Sequence, residues 1–162
     1  MSALGDKAIE VARGQVGQRE TSRNRGPGVD VYVRSVGLDP DGEYPWCAAF
    51  MFWVFDQASA SLGIDCPLPR TASVLGLWQR TSSRNRMREP QPGDVFCIDH
   101  GRGKGHCGLV VAVSEAGIES IEGNTNPAGS REGDGVYARR RDFGEINLGY
   151  LRFGAPDERQ TA

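Results

Sequence analysis

The stretch YPWCAAFMFWVFDQA, residues 44–58, is the most apolar part of the chain and predicts its central helix. Residues 46–60 are apolar on nearly every side until Asp56 and Gln57. A helix that is apolar all round is buried in the interior of a protein, whereas a surface helix has one polar face. Pro45 stands just before or within the first turn, where its missing N–H costs nothing. We therefore expect the fold to be built around this helix.

The segments on the two sides of this helix differ in pattern. Apolar residues recur at helical spacing over residues 3–15 and 29–36 before it, and residues 71–82 are expected to form another helix after it. Beyond residue 91 the chain changes to short apolar segments separated by glycine-rich turns. The expected strands are residues 94–98, 107–113, 117–122, 135–141 and 148–153. Helices followed by consecutive strands predict an α+β fold, in which the helices pack on one antiparallel sheet.

The length of 162 residues corresponds to about one domain. Residues 1–154 are expected to form that domain, and residues 155–162 are expected to be a disordered polar tail. No linker leads to a second module. The basic stretch that contains Arg84, Arg86 and Arg88 is typical of a solvated surface segment.

Composition and charge exclude several kinds of partner. Lys and Arg number 19 against 21 Asp and Glu, a net charge of -2, which offers no electrostatic footprint for nucleic acid. The longest apolar run, residues 46–55, is far shorter than the roughly 18 residues that a transmembrane helix needs, so no membrane insertion is expected. The first residues lack the apolar core of a signal peptide. We expect a monomer that is synthesised in the cytoplasm without a signal peptide.

Cys47 is the candidate nucleophile because it lies in the first turn of the central helix. Unpaired N–H groups and the helix dipole favour a thiolate at such a position. A thiol beside an imidazole is the arrangement that nucleophilic catalysis uses. A buried cysteine is more often a small core residue, but the location of Cys47 at the helix start favours the nucleophile. The spacing of Cys66, Cys97 and Cys107 predicts neither a disulfide framework nor a zinc site.

Two histidines are present, and His106 is the better candidate base. It opens the segment HCGLVVAV, where Gly108 on the same strand face leaves room beside the ring. His100 lies in the loop DHGRGKG, where exposure to solvent is expected. Alternation places Cys107 on the face opposite His106, so Cys107 is expected to pack in the core. Cys97 and Cys107 lie on consecutive strands and could face each other, but a reducing cytoplasm predicts free thiols.

Two residues of the segment IEGNTN are candidates for orienting the histidine. Glu122 and Asn124 are two positions apart, so in an extended chain they share one face. Either could accept the second imidazole N–H of His106 and fix its tautomer. A carboxylate stabilises an imidazolium more strongly than an amide, since hydrogen bonds to ionised partners are roughly twice as strong, which favours Glu122. Asn124 at the strand end could reach the ring as easily and remains the alternative.

Four sequence blocks together resemble the CHAP family, the cysteine- and histidine-dependent amidohydrolases and peptidases of the NlpC/P60 superfamily. The blocks are PWCAAF, PGDV, GHCGLV and IEGNT, and their order and spacing are more specific than any one of them. The resemblance covers about residues 14–154, including DGVYARRR and INLGYLRFG. It implies a papain-like fold with an antiparallel sheet of about five or six strands. The residues that it assigns are Cys47 as nucleophile, His106 as general base, and Glu122 with Asn124 as the polar residues that complete the site.

The resemblance implies hydrolysis of bacterial peptidoglycan, either at the N-acetylmuramoyl-L-alanine amide or within the stem or cross-bridge peptide. Tyr44 and Trp46, which flank Pro45 just before the nucleophile, are expected to bind the substrate. No cofactor is expected to be required. The alternative is a non-catalytic wall-binding or structural phage protein that retains the fold. The presence of both a thiol and an imidazole argues against that alternative, because a binding module needs neither.

The chain differs from many relatives in ways that bear on where it acts. A signal peptide and a separate cell-wall-binding domain are expected to be absent, as in a phage endolysin, a virion-associated lysin or a secreted effector. Such a protein would act in the periplasm or cell wall after release that is assisted by a holin, a virion or a secretion system. Some relatives bind calcium in an acidic loop before the nucleophile, and Asp39, Asp41 and Glu43 lie in a similar place. Because Ala49 stands where those relatives have a further acidic ligand, a plain acidic turn is the preferred interpretation.

Overall fold

The computed structural model describes residues 2–126 and 133–154. Within these ranges the chain forms four α-helices and a six-stranded sheet. The helices are α1 (Ala3–Arg13), α2 (Pro27–Ser35), α3 (Cys47–Leu62) and α4 (Val74–Arg80). The strands are β1 (Arg86–Met87), β2 (Val95–Gly101), β3 (Lys104–Val113), β4 (Gly117–Thr125), β5 (Gly135–Asp142) and β6 (Gly149–Leu151). The tail expected over residues 155–162 lies outside the described part of the chain.

Helix α3 is the central helix that the sequence predicts, and ten of its 16 residues are buried. It begins at Cys47 because Trp46, with φ -125° and ψ 15°, is the N-cap residue rather than part of the helix. It ends at Gly63, whose φ of 69° lies in the left-handed region that glycine adopts without strain. Helices α1, α2 and α4 all pack against α3, which in turn packs on β3 and β4. This arrangement buries nearly every side of α3, as its apolar sequence requires.

The six strands form an antiparallel sheet in the order β1-β6-β2-β3-β4-β5. The predicted α+β fold with five or six strands is therefore confirmed. Alternation along the strands gives the sheet two apolar faces. The face toward α3 carries Cys97, Cys107, Leu109 and Ile121. The opposite face carries a second cluster of Phe96, Ile98, Val110, Ile118 and Tyr150.

Three local expectations differ from the structure. Helix α4 starts at Val74 and not at residue 71, because the hydroxyl of Ser73 caps the helix by accepting from the N–H of Gly76. Arg84 and Arg88 are exposed as expected, but Arg86 is half-buried in β1, where its guanidinium lies over the Trp78 ring. His100 is exposed as expected, yet it belongs to the end of β2 rather than to a loop.

Among the described helices, the longest apolar stretch falls short of what a membrane crossing requires. This finding agrees with the short apolar run seen in the sequence.

Candidate active site

Cys47 lies at a groove of about 260 Å³ formed where the start of α3 meets β3. The side chains and backbone that line the groove belong to Tyr44, Pro45, Cys47, Ala72, Ser73, Val74, Gly103 and Gly105. None of the other lining residues carries a charge, and Cys47 itself is only 3% exposed. Trp46, the N-cap, makes no side-chain hydrogen bond to the first turn of α3. Backbone N–H groups at that turn are therefore free of a side-chain cap and can receive a substrate oxygen.

His106 is held on β3 by a hydrogen bond to Glu122 on the neighbouring strand β4. The distance from His106 Nε2 to Glu122 Oε1 is 2.7 Å, and both side chains are buried. The other ring nitrogen, Nδ1, is also buried and has no hydrogen-bond partner among the described residues. Cys47 is the remaining polar group that acts on the ring, so Nδ1 is the nitrogen left for its sulfur. Such contacts are often long in a free enzyme and shorten when substrate binds.

Glu122 is itself fixed by two further residues on the same face of β4 and β5. Arg141 donates two hydrogen bonds of 2.7 Å, from Nε to Oε2 and from Nη2 to Oε1. The hydroxyl of Ser120 donates a hydrogen bond of 2.6 Å to Oε2. Burial raises the pKa of Glu122, but Arg141 and then His106 outweigh it and lower the pKa to about 2. Glu122 is therefore an ionised carboxylate that accepts from all three neighbours.

The electrostatics around Cys47 favour a thiolate beside an imidazolium. The thiol of Cys107 and then the imidazole of His106 lower the pKa of Cys47 well below its usual value, although burial acts in the opposite direction. Burial and the neighbouring sulfur of Cys47 raise the pKa of Cys107, so Cys107 stays protonated. Burial also opposes the charged form of His106, but Cys47 and Glu122 raise its pKa to about 9. Both shifts favour the thiolate of Cys47 and the imidazolium of His106, which together are the reactive form of a cysteine hydrolase.

Gly108 provides the room beside the His106 ring that the sequence predicts, and Glu122 and Phe96 fill it. A Cβ atom at Gly108 would lie 2.6 Å from Cγ of Glu122 and 2.7 Å from Cε1 of Phe96. Such distances are too short for any side chain, so only glycine allows Glu122 to approach the ring from this direction.

Gly108→Ala should therefore displace Glu122 and misplace the His106 ring. We expect turnover to fall about 100-fold, because small displacements of a catalytic group cost that much. Crowding should also lower the free energy of unfolding by about 1–3 kcal/mol, measured by thermal denaturation. Gly144→Ala is the matched control, since a Cβ there meets nothing within 4 Å. Wild-type activity and stability in Gly108→Ala would show that the space beside the ring is not needed.

The backbone at Asn124 departs from the extended conformation on which its expected position rests. Its φ of 55° is left-handed, and the pairing of β4 with β5 shifts register between Glu122 and Thr125. This irregularity interrupts the two-residue period from which the shared face of Glu122 and Asn124 was expected. Asn124 is buried, and its Oδ1 has no hydrogen-bond partner within the described ranges. The structure brings Cys47, His106 and Glu122 together, and within the described residues Asn124 makes no hydrogen bond to the ring through its Oδ1.

The two residues expected to bind substrate have different environments. Tyr44 is 38% exposed and lines the groove beside Cys47, so it is open to a substrate. Trp46 is fully buried, and its Nε1 donates a hydrogen bond of 2.9 Å to Glu20. The expectation that Trp46 contacts substrate was therefore wrong. Its ring packs between the start of α3 and strand β4, and the absence of a side chain at Gly123 lets β4 approach the ring closely.

The acidic turn before the nucleophile is organised by hydrogen bonds within the protein. Asp39 accepts from the backbone N–H of Asp41, and the carboxylate of Asp41 forms an ion pair of 2.6 Å with Arg25. Glu43 completes the turn in a left-handed conformation. No group of three His, Cys, Asp or Glu side chains that could hold a metal ion occurs in residues 2–126 and 133–154. Because Arg25 is paired with the Asp41 carboxylate, these residues do not fit a calcium site.

A larger cavity of about 750 Å³ lies elsewhere, between the end of α1 and strands β4 and β5. Its lining includes Arg13, Glu119, Tyr137 and Arg140 but neither a cysteine nor a histidine. Volume alone therefore does not identify the reactive site. The smaller groove is the one that contains the candidate nucleophile, Cys47.

Sequence reasoning missed Ser120, Arg141 and the proximity of Cys107 to Cys47. Ser120 carried a usable signal, because it precedes Glu122 by two positions and so lies on the same strand face. Arg141 lies in a strand that the sequence predicts, but no local pattern pairs it with Glu122 on the neighbouring strand. Cys107 lies in the core as expected, but the sequence did not show that Cys47 belongs to the same core cluster.

A family model for the CHAP domain matches residues 39–124, more than half of the 162-residue chain. This chain belongs to the CHAP family. The matched region of this CHAP domain contains Cys47, His106, Glu122 and Asn124. Members of the family are generally cysteine- and histidine-dependent amidohydrolases or peptidases, which agrees with the chemistry of the groove.

Among solved structures, the crystal structure of Ly7917 matches this CHAP domain with a TM-score of 0.52 and 18% sequence identity. The match covers 93% of this chain and 60% of that chain. At this level of identity the likeness supports the fold alone. A search of curated proteins finds no match.

Proposed function

We propose that this CHAP domain hydrolyses an amide bond of bacterial peptidoglycan. The observation that carries the proposal is the convergence of Cys47, His106 and Glu122 at the groove where α3 begins. The lining of the groove supports it, because small uncharged residues such as Ala72 and Ser73 leave room for small substituents. Alanyl and lactyl groups of peptidoglycan are of this kind.

The proposed mechanism has two stages at the same sulfur. The Cys47 thiolate attacks the amide carbonyl, and N–H groups at the start of α3 stabilise the oxyanion of the tetrahedral intermediate. The His106 imidazolium then gives its proton to the nitrogen of the leaving amine, and a thioester forms. His106, now neutral, takes a proton from water, and the hydroxyl group attacks the thioester carbonyl. The carboxylic acid product leaves, and the thiolate and imidazolium are restored.

Two cleavage sites fit this mechanism equally. One is the N-acetylmuramoyl-L-alanine amide, and the other is an amide within the stem or cross-bridge peptide. Action as a phage lysin, with a holin, a virion or a secretion system giving access to the wall, is part of the same proposal. A monomer that requires no cofactor and works in the periplasm or cell wall would suit that role.

Mass spectrometry of digested peptidoglycan tests the proposal and separates the two cleavage sites. Purified sacculi are incubated with wild-type protein, with Cys47→Ala as the control for contaminating hydrolases. A new N-terminal alanine on a free stem peptide identifies an amidase, whereas other new amines identify an endopeptidase. Sacculi that bind the protein but release no fragments would support a wall-binding module and sink the proposed hydrolysis.

The pH profile should report whether Glu122 or Asn124 orients His106. The carboxylate of Glu122 helps to raise the His106 pKa to about 9, so wild-type activity should fall as the pH rises through that value. Glu122→Gln removes the charge that favours the imidazolium, so the His106 pKa should drop and the basic limb should move to lower pH. Asn124→Ala should leave the position of that limb unchanged. A dead Asn124→Ala beside a near-normal Glu122→Gln would reverse the assignment.

A further inference from the structure

Three of the four cysteines lie together beneath the groove. Cys97 on β2 and Cys107 on β3 are direct partners across the antiparallel pair. Both side chains point to the sheet face that packs against α3, and they belong to the same core cluster as Cys47. Within the described residues all the cysteines are free thiols. The cluster therefore contains the proposed nucleophile and two spare thiols.

Of the two spare thiols, Cys107 is the one that is adjacent to the nucleophile. Cys47 interacts with the side chain and also with the backbone N–H of Cys107. Both Cys47 and Gly105, two residues before Cys107, line the groove. The sulfur of Cys47 therefore sits over the start of β3, whereas Cys97 lies one strand further away. A reactive cysteine beside a second thiol is the arrangement of a redox-sensitive pair.

The two sulfurs differ in accessibility and in ionisation. Cys47 lines the groove, where a small oxidant can reach it, and its lowered pKa favours the thiolate that attacks such an oxidant. Cys107 is completely buried and stays protonated, so it is protected from direct oxidation. Oxidation should therefore begin at Cys47 and be completed by Cys107, which is a fixed order set by the packing.

We propose that a hydroperoxide converts Cys47 and Cys107 into a reversible disulfide that switches the enzyme off. The inference rests on the proposed function only in treating Cys47 as the nucleophile. In the first step the Cys47 thiolate takes one oxygen from the hydroperoxide, whose O–O bond breaks, and a sulfenic acid forms while the peroxide is reduced to an alcohol or water. In the second step the Cys107 sulfur attacks the sulfenic sulfur, the S–O bond breaks, and the hydroxide leaves with the proton of the Cys107 thiol as water. Two thiols have then lost two electrons in total.

Disulfide formation inactivates Cys47 and also protects it from irreversible oxidation. A sulfenic acid without a neighbouring thiol is oxidised further to sulfinic acid, which reductants do not reverse. The disulfide stops that reaction, and a dithiol reductant restores both thiols. The second thiol at position 107 therefore decides whether an oxidised enzyme is recoverable.

Peptide mapping after peroxide treatment tests the proposal directly. The full chain is treated with hydrogen peroxide, quenched by alkylation and digested without reduction. We expect a linked peptide pair that contains Cys47 and Cys107, with a mass lower by two hydrogen atoms than that of the two thiols. A link between Cys97 and Cys107, or sulfinic acid at Cys47 in the wild type, would overturn the proposal. This readout needs no substrate, so it stands or fails independently of peptidoglycan hydrolysis.

An activity measurement on purified sacculi gives a second readout. The wild type should lose activity with peroxide and recover it with dithiothreitol. Cys107→Ser should lose activity that does not return, because its Cys47 has no partner and proceeds to sulfinic acid. Cys97→Ala is the matched control, since it removes a buried neighbour but keeps the pair, and it should recover as the wild type does. Full recovery in Cys107→Ser would exclude Cys107 as the resolving thiol.

Discussion

Cys47→Ala is expected to abolish hydrolysis of peptidoglycan while leaving the fold intact. Removal of a catalytic nucleophile typically lowers turnover by at least about 10⁴-fold, because no other group can form the covalent intermediate. Alanine is tolerated at the start of a helix and removes only a sulfur atom that borders the groove. Release of new amines from purified sacculi is the measurement, and circular dichroism confirms that the variant is folded.

The remaining cysteines provide the controls for this result. Cys66 is half-buried in the loop after α3, and Cys97 is buried in β2 and does not line the groove. Cys66→Ala and Cys97→Ala should therefore retain activity. Cys47→Ser should be as inactive as Cys47→Ala, since a serine hydroxyl in this environment is far less ionised than a thiol. Activity that survives in Cys47→Ala, or that is lost by alkylation of another cysteine, would move the nucleophile elsewhere.

Arg141→Met is expected to damage both stability and activity, although Arg141 is a positioning residue that does not touch the groove. Glu122 is completely buried, and Arg141 donates two of its four hydrogen bonds. Removing the guanidinium breaks a buried ion pair and leaves His106 to balance the Glu122 carboxylate, which costs about 3–5 kcal/mol of unfolding free energy. The Glu122 pKa should rise in response, so the carboxyl group becomes a weaker support for the His106 imidazolium. Denaturant unfolding and the pH profile of activity measure the two effects.

A double variant distinguishes the loss of charge balance from simple loss of packing. Arg141→Met combined with Glu122→Gln removes both charges of this ion pair, so much of the stability lost in Arg141→Met should return. Activity should not return, because the amide of glutamine does not hold the imidazolium. Ser120→Ala removes one hydrogen bond to the carboxylate and no charge, and it should cost about 1.5–3 kcal/mol, less than Arg141→Met. Wild-type stability in Arg141→Met would mean that the ion pair contributes nothing to the site.

The helices and strands were predictable where the apolar pattern of a single segment shows whether that segment is buried. Residues 46–60 are apolar on nearly all sides, and only a central helix accommodates such a sequence. The strands beyond residue 91 were recognisable from their short apolar runs, but strand β1 was not. Its two residues pair with β6 from the far end of the chain, a contact that no local pattern contains.

The candidate site was predictable where the argument rested on charge and failed where it rested on backbone regularity. Glu122 was preferred because an ionised partner stabilises an imidazolium, and it is the residue that contacts His106. Asn124 was expected on the same face, but the left-handed residue at that position breaks the alternation. Arg141 could not be assigned, because its partner lies across a strand pair whose register only the folded sheet reveals. Long-range pairing, rather than residue chemistry, is the information that the sequence lacked.

The missing side-chain cap at the start of α3 has a consequence for the bound state. Serine, threonine, aspartate or asparagine at position 46 would stabilise the helix by about 1 kcal/mol, but its oxygen would occupy the N–H groups of the first turn. Trp46 leaves them uncovered. Under the proposed mechanism the oxygen that finally covers them belongs to the scissile amide, and it binds most strongly when it carries the negative charge of the intermediate. The substrate would then act as the N-terminal cap of α3, and only for as long as the reaction lasts.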